Sequence, residues 1–299
     1  MEDSFTTKVL LPVALGIIML GLGLSLTIAD FKRVRTMPRA VIVGLVCQMG
    51  ILPFACYGIA KLFSLSPEFA VGLMLLAASP GGATANLFSH LAKGDVALNI
   101  TLTAINSLLS LATLPFIVNF SLEAFMGEGK VIPLQVKEIL QVFALVLIPV
   151  GIGMVIRFKK TDVAIKLEKP VRIISAVFLA AIVIVTIIKE RDRLPEMIKF
   201  VGPAALVFNL TSMAVGYVVP RLMRLPKRQS VAIGMEIGIH NGTLAITIAS
   251  GLTLLNNPKM AVPAAIYSLI MFITAGIFAT IFARNADDAP KEPAKPATE

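Results

Sequence analysis

Nine apolar runs follow one another along this chain, separated by short and mostly basic connections, and that pattern restricts the fold more than any motif does. About 20 consecutive apolar residues cross a bilayer as a helix, the one open-ended structure that pairs all its backbone groups internally. The runs read as roughly Val9–Ile28, Ala40–Phe63, Phe69–Leu91, Val96–Phe120, Ile139–Ile156, Ile173–Ile188, Val201–Val219, Val231–Leu255 and Met260–Phe282. Charged residues are only 15% of the chain, against about 25% in a soluble globule. Alternating strand patterns with regular turns, the mark of an outer-membrane barrel, do not occur. The sequence therefore predicts an all-α polytopic membrane protein with nine transmembrane helices, spans 1 to 9, within residues 1–283. Residues 284–299, rich in Pro, Ala, Lys and acids, are expected to form a solvated tail.

The net charge of +9 does not argue for nucleic acid, because the basic residues sit on connections. They gather after span 1 (Lys32, Arg33, Arg35, Arg39), after span 5 (Arg157, Lys159, Lys160, Lys166, Lys169, Arg172) and after span 7 (Arg221, Arg224, Lys227, Arg228). With Lys93 and the tail, that side holds 18 basic residues against 9. The positive-inside tendency makes it cytoplasmic, which places the N-terminus outside and the C-terminus inside. The loop after span 6 (Lys189, Glu190, Arg191, Asp192, Arg193) fits this least. The Met1-Glu2-Asp3-Ser4 start is not basic, so a cleaved secretory signal is not expected. Cys47 and Cys56, nine residues apart in span 2, fall on opposite helix faces, which disfavours a disulfide or a metal pair.

Two spans carry interruptions. Span 8 contains Gly234-Met235-Glu236-Ile237-Gly238-Ile239-His240-Asn241-Gly242-Thr243. Glu236 is the one acid well inside a predicted span, where it costs about 2.5–3.5 kcal/mol and calls for a partner or a task. His240, four residues on, falls on the same face of a continuous helix and could donate a hydrogen bond to it. Span 3 contains Ser79-Pro80-Gly81-Gly82-Ala83-Thr84-Ala85-Asn86, where Pro80 removes a donor and the glycines let the helix open. Asn86 and Asn241 lie five spans apart, an odd shift that inverts orientation. Interrupted segments at matching places in inverted repeats point to a transporter's binding site. A resumed half-helix aims free N–H groups at an anion, while freed carbonyls beside Glu236 suit a hard cation. Asn106, Ser107 and Ser110 read as packing residues, and Asn209 and Thr211 as polar groups able to face a substrate cleft.

The Ser79-Pro80-Gly81-Gly82 stretch through Asn86, the Leu91-Ala92-Lys93-Gly94-Asp95-Val96-Ala97-Leu98 stretch and Glu236-Ile237-Gly238-Ile239-His240-Asn241-Gly242 together resemble the bile acid:sodium symporter family. The resemblance runs over nearly the whole chain and is to bacterial members akin to the apical sodium-dependent bile acid transporter. It implies two discontinuous helices crossing in a core domain of spans 2, 3, 4, 7, 8 and 9, with a panel domain of spans 1, 5 and 6. It implies a first sodium site at Asn86, Asn99, Thr103 and Glu236, with Ala85 offering only backbone. It implies a second at Gln48, Glu236, His240 and the carbonyls of Ile237 and Ile239. Relatives usually have Gln where this chain has His240, and a neutral imidazole nitrogen is a poorer ligand for Na⁺ than an amide oxygen. Substrate contact is expected at Pro80, Gly81, Gly82, Thr84, Asn241 and Gly242.

The function expected from the resemblance is Na⁺-coupled uptake of an organic anion, bile acid-like or a small carboxylate, across a bacterial inner membrane by alternating access. The alternative is proton coupling, with His240 in place of the second sodium. An enzyme is not expected: the chain has no His-Glu-x-x-His, no Gly-x-Ser-x-Gly and only two histidines, in separate spans.

Overall fold

Helices make up every extended element among the described residues, and the β feature there is an isolated antiparallel bridge between Gly81 and His240. The structure, a computed structural model, describes residues 11–82, 84–127, 136–171, 173–174, 177, 194–251 and 254–287. Among the described residues, five helices are long and apolar enough to cross a membrane: Pro38–Leu62, Val96–Met126, Leu140–Lys159, Ile198–Leu222 and Pro258–Ala283. They correspond to spans 2, 4, 5, 7 and 9. Span 1 becomes a sixth if the pair Pro12–Ser25 and Ile28–Arg35, bent by 72°, counts as one crossing. Spans 3 and 8 are each divided into two shorter helices, and span 6 falls almost wholly outside the described residues.

The first helix, α1 (Leu11–Ser25), turns sharply into the short α2 (Ile28–Lys32). Asp30 holds the turn. Its Oδ2 accepts from the Thr27 amide and the Thr27 hydroxyl, both at 2.7 Å, and its other oxygen pairs with Arg33. α3 (Pro38–Leu62) contains a π turn at Val46–Ile51. The π turn lies just before Pro53, which lacks an N–H and crowds the carbonyl four residues back, so the hydrogen-bond ladder cannot run through regularly. The extra residue of that wide turn helps to place Gln48 inward, where it is 3% exposed.

α4 (Pro67–Ala78) and α5 (Ala85–Leu91) flank the first interruption. α6 (Val96–Met126) starts at Asp95, whose side chain caps the Leu98 amide at 3.0 Å. α7 (Val136–Lys159) is followed by a helical run over 161–171. α8 (Leu194–Leu222), α9 (Lys227–Gly238) and α10 (Gly242–Ser250) come next, then a 3₁₀ turn at Pro258–Ala261 and α11 (Val262–Asp287). α11 runs past Arg284 into the segment expected as tail, because neither Gly nor Pro follows Gly276 before Asp287.

Large apolar side chains cover the outside of the helices, and polar ones lie buried within the apolar core. Phe54 on α3 and Phe116 on α6 are each 77% exposed, and α7, α8 and α11 likewise show Phe158, Leu222 and Ile273. A water-soluble fold hides such residues, whereas lipid accepts them. Gln48, Asn99, Thr103, Asn106, Asn209, Glu236 and His240 are buried instead.

Close backbone approaches through glycine lock the helices together. A Cβ on Gly153 of α7 would lie 2.6 Å from the Leu20 carbonyl oxygen of α1, and one on Gly216 of α8 would lie 2.7 Å from the Gly234 Cα of α9. Small residues at helix contacts give this closeness, which matters where lipid supplies no hydrophobic drive for association.

Candidate functional site

The site forms where the two interruptions meet. α4 stops at Ala78 because Ser79, preceding a proline, is extended (φ −74°, ψ 147°). α9 stops at Gly238, with Ile239 at φ −114°, ψ 90°. The exposed backbone ends then satisfy one another. The Gly82 N–H donates to the Ile239 carbonyl at 2.6 Å and the Asn241 N–H to the Pro80 carbonyl at 2.9 Å. Deep in an apolar surround those groups need partners. A Cβ at Gly81 would run into the Glu236 carboxylate, so glycine is what permits the strand of span 3 to lie against that acid.

Glu236 sits in the last turn of α9 and is fully buried. Its Oε2 accepts from the Thr103 hydroxyl at 2.6 Å and its Oε1 from the Asn106 amide at 3.2 Å. Among the described residues no cationic side chain pairs with it. Four side-chain amide oxygens on α3, α5 and α6 are buried with no donor: Gln48 Oε1, Asn86 Oδ1, Asn99 Oδ1 and Asn106 Oδ1. The Asn106 N–H₂ is the one on Glu236, while those of Gln48 and Asn99 go to backbone. Gln48 donates to the Ser79 carbonyl at 3.0 Å, and Asn99 to the Ala232 carbonyl at 2.8 Å. Oxygens left without donors are the atom type a hard cation requires. The C-terminal end of α9, negative by its dipole, adds to the same field. Among the described residues no three His, Cys, Asp or Glu side chains gather, so oxygen from amides, hydroxyls and one carboxylate makes up the donor set.

His240 departs from the arrangement a continuous helix gives. The helix ends between the two residues, so His240 neither follows Glu236 along one face nor hydrogen-bonds to it. Its Nδ1 lies 3.4 Å from the Ser79 carbonyl and its ring stacks on Phe208, centroids 5.6 Å apart and planes 13° apart. A carbonyl only accepts, so Nδ1 carries the proton in that contact. Nε2 is buried with no partner.

The remaining predicted positions divide. Asn86 and Ala85 begin α5, and Asn99 and Thr103 share one face of α6. Ile237 is buried in the last turn of α9, and the Ile239 carbonyl is already engaged by Gly82. Of the six expected substrate contacts, Pro80 lines a narrow cleft between α3, α4 and α6, beside Gln48, Ser79, Asn106, Ser110 and Thr113, with no room for a water molecule in this conformation. Gly81, Gly82, Asn241 and Gly242 are buried at the crossing, and Thr84 is half-buried. The α10 N-terminus is capped from within, Asn241 Oδ1 accepting from the Leu244 amide at 3.0 Å.

Two residues are more involved than their sequence suggests. Asn106, read as packing, bonds directly to Glu236. Its spacing of three from Thr103 and seven from Asn99 is the signal, since those intervals share a helix face. Asn209, read as facing a cleft, is instead buried structural support. It donates to the Gly238 carbonyl at 2.9 Å and accepts from Thr274 at 2.6 Å, while Tyr267 reaches the same carbonyl at 2.9 Å.

The profile of the Sodium Bile acid symporter family matches residues 12–197. An uncharacterized sodium-dependent transporter of Bacillus subtilis, YocS, is 28% identical over 275 residues, 91% of this chain and 83% of its own length. The probable sodium/metabolite cotransporter BASS1 of Arabidopsis thaliana is 28% identical over 92% of this chain and 67% of its own. The hepatic sodium/bile acid cotransporter of Rattus norvegicus is 29% identical over 81% of this chain and 67% of its own.

Proposed function

The chain belongs to the sodium bile acid symporter family, and from that premise we propose that it is a secondary-active symporter coupling an inward Na⁺ gradient to uptake of an organic anion, bile acid-like or a small carboxylate. One observation carries the reading: Glu236 is a buried carboxylate with no cationic partner among the described residues, held only by the Thr103 hydroxyl and the Asn106 amide. An uncompensated charge in such a place is costly, and a bound Na⁺ compensates it.

In this reading one Na⁺ is held by Asn86, Asn99, Thr103 and Glu236. A second is held by Gln48, Glu236, His240 and the carbonyls of Ile237 and Ile239. The Ile239 carbonyl keeps a lone pair after accepting from Gly82. The α4–α5 and α9–α10 pairs act as the two discontinuous spans of an inverted repeat. The anion approaches their crossing from the cleft side, meeting Pro80, Gly81, Gly82, Thr84, Asn241 and Gly242. A panel containing α1 and α7 then moves against the core that holds the site, in an inner membrane with the N-terminus outside. Cation and anion must favour the same conformations for coupling to follow. The test is uptake of cholate and of pyruvate into proteoliposomes, with an inward Na⁺ gradient and with Na⁺ equal on both sides. Uptake of one of them that rises with the gradient is expected; gradient-independent behaviour of both overturns the reading.

The unpartnered His240 Nε2 favours a second reading, in which it accepts a proton in place of the second sodium. His240→Gln separates the two. Under sodium coupling the glutamine oxygen is the better ligand, so Na⁺-driven uptake survives and its Na⁺ midpoint falls several-fold. Loss of uptake in that variant, together with uptake driven by an inward pH gradient in the wild type, selects the proton instead.

A further inference from the structure

The two oxygens of Glu236 are held by donors of different kinds. Thr103 also contacts the Asn99 carbonyl, at 3.0 Å, so its hydroxyl hydrogen can swing from the carboxylate to that carbonyl and leave a lone pair facing the centre. Asn106 cannot do this by moving a hydrogen alone. A carboxylate only accepts, so the end of the amide on Oε1 is Nδ2–H₂ and the Oδ1 end faces away. That Oδ1 is buried and has no donor, and Asn106 lines the cleft beside Gln48, Ser79, Pro80 and Ser110. Asn106 belongs to neither of the ligand sets above. A cation settling on Oε1 meets the positive end of an N–H dipole, and the repulsion is relieved by a half-turn of the amide, whose terminal torsion is soft and roughly two-fold.

We propose that Asn106 is a turning amide that links the cation to the cleft. With no cation on Glu236 its N–H₂ holds the carboxylate. With a cation there, its Oδ1 joins the ligands and the freed N–H₂ turns toward the cleft, where it becomes a donor for the carboxylate of an organic anion once that side opens. Cation and anion thereby favour the same orientation of one side chain, and each raises the affinity of the other by the same factor. The proposal rests on the sodium reading of Glu236 and adds a positioning residue to it.

The sign of one measurement decides it. The melting temperature of the purified protein is followed against NaCl, with choline chloride keeping ionic strength constant, for the wild type, Asn106→Leu, Asn106→Ser and Glu236→Gln. As a ligand, Asn106 is missed: Asn106→Leu raises the Na⁺ midpoint at least about tenfold, as for loss of one bond to a charged partner. Asn106→Ser recovers part of this, since a hydroxyl can turn its hydrogen away, and it carries the test with the same sign should the leucine variant not fold. If Asn106 only holds the carboxylate, it competes with the cation, and its removal leaves the midpoint unchanged or lowers it; that result overturns the amide turn. A midpoint untouched by Glu236→Gln, or no stabilisation of the wild type by Na⁺, sinks the sodium reading itself. Loss of the response in Glu236→Gln with a lowered midpoint in Asn106→Leu sinks the amide turn alone.

Discussion

Glu236→Gln is expected to remove the stabilisation of the protein by Na⁺ and its Na⁺-driven uptake while leaving the fold in place. The glutamine keeps the volume and the two hydrogen-bonding positions of the native side chain. Its oxygen accepts from Thr103, and its N–H₂ can donate to Asn106 Oδ1 after a half-turn of that amide, which brings the unpartnered oxygen round. What it loses is charge. Removing one member of a buried ionic pair costs about 3–5 kcal/mol, which weakens Na⁺ binding by at least about a hundredfold. Melting curves against NaCl at constant ionic strength read this directly. An unaltered Na⁺ midpoint in a variant that melts within a few degrees of the wild type shows that the cation is anchored elsewhere.

Gly81→Ala is expected to be nearly as damaging, by geometry and without altering any charge. The added Cβ runs into the Glu236 carboxylate and lies 2.8 Å from the Glu236 backbone oxygen. Backbone cannot move aside there, because Gly82 and Asn241 tie the two interruptions together on either side. The carboxylate is pushed off Thr103 and Asn106, and overpacking of this kind costs about 1–3 kcal/mol in stability. Gly82→Ala is the internal control. Its Cβ comes no nearer than 3.3 Å to the His240 carbonyl, a contact that a shift of a few tenths of an ångström relieves. Gly81→Ala should therefore lose the Na⁺ response in the melting assay and Gly82→Ala should largely keep it. Equal behaviour of the two refutes the claim that the Gly81 backbone shapes the carboxylate's seat.

The contrast between these neighbouring glycines illustrates what could be read in advance. Both are legible as helix breakers beside Pro80, and their sequence context is the same. Only the approach of α9 makes one of them a wall of the site. His240 shows the converse. Spacing by four puts it under Glu236 on a continuous helix, but Gly238 ends the helix first, and the ring goes to Phe208 and the Ser79 carbonyl instead. Asn106 was within reach of a spacing argument, yet a polar residue on a buried helix face is more often interhelical glue than a neighbour of a functional acid.

Hydropathy by itself determined that the chain is helical and membrane-embedded, because lipid leaves helices as the solution for apolar runs of this length. It also located the two interruptions, since proline and glycine break a helix through local geometry that no partner need supply. Which atoms surround Glu236 was decided by tertiary structure alone. The groups that meet there come from the break after α4, from α6 and from α9, as much as 155 positions apart between Gly81 and Glu236. Their facing directions depend on a stop at Gly238 and a backbone pairing across two broken helices. The seat of the carboxylate is a property of how those elements are oriented, and a linear pattern carries no orientation between distant helices.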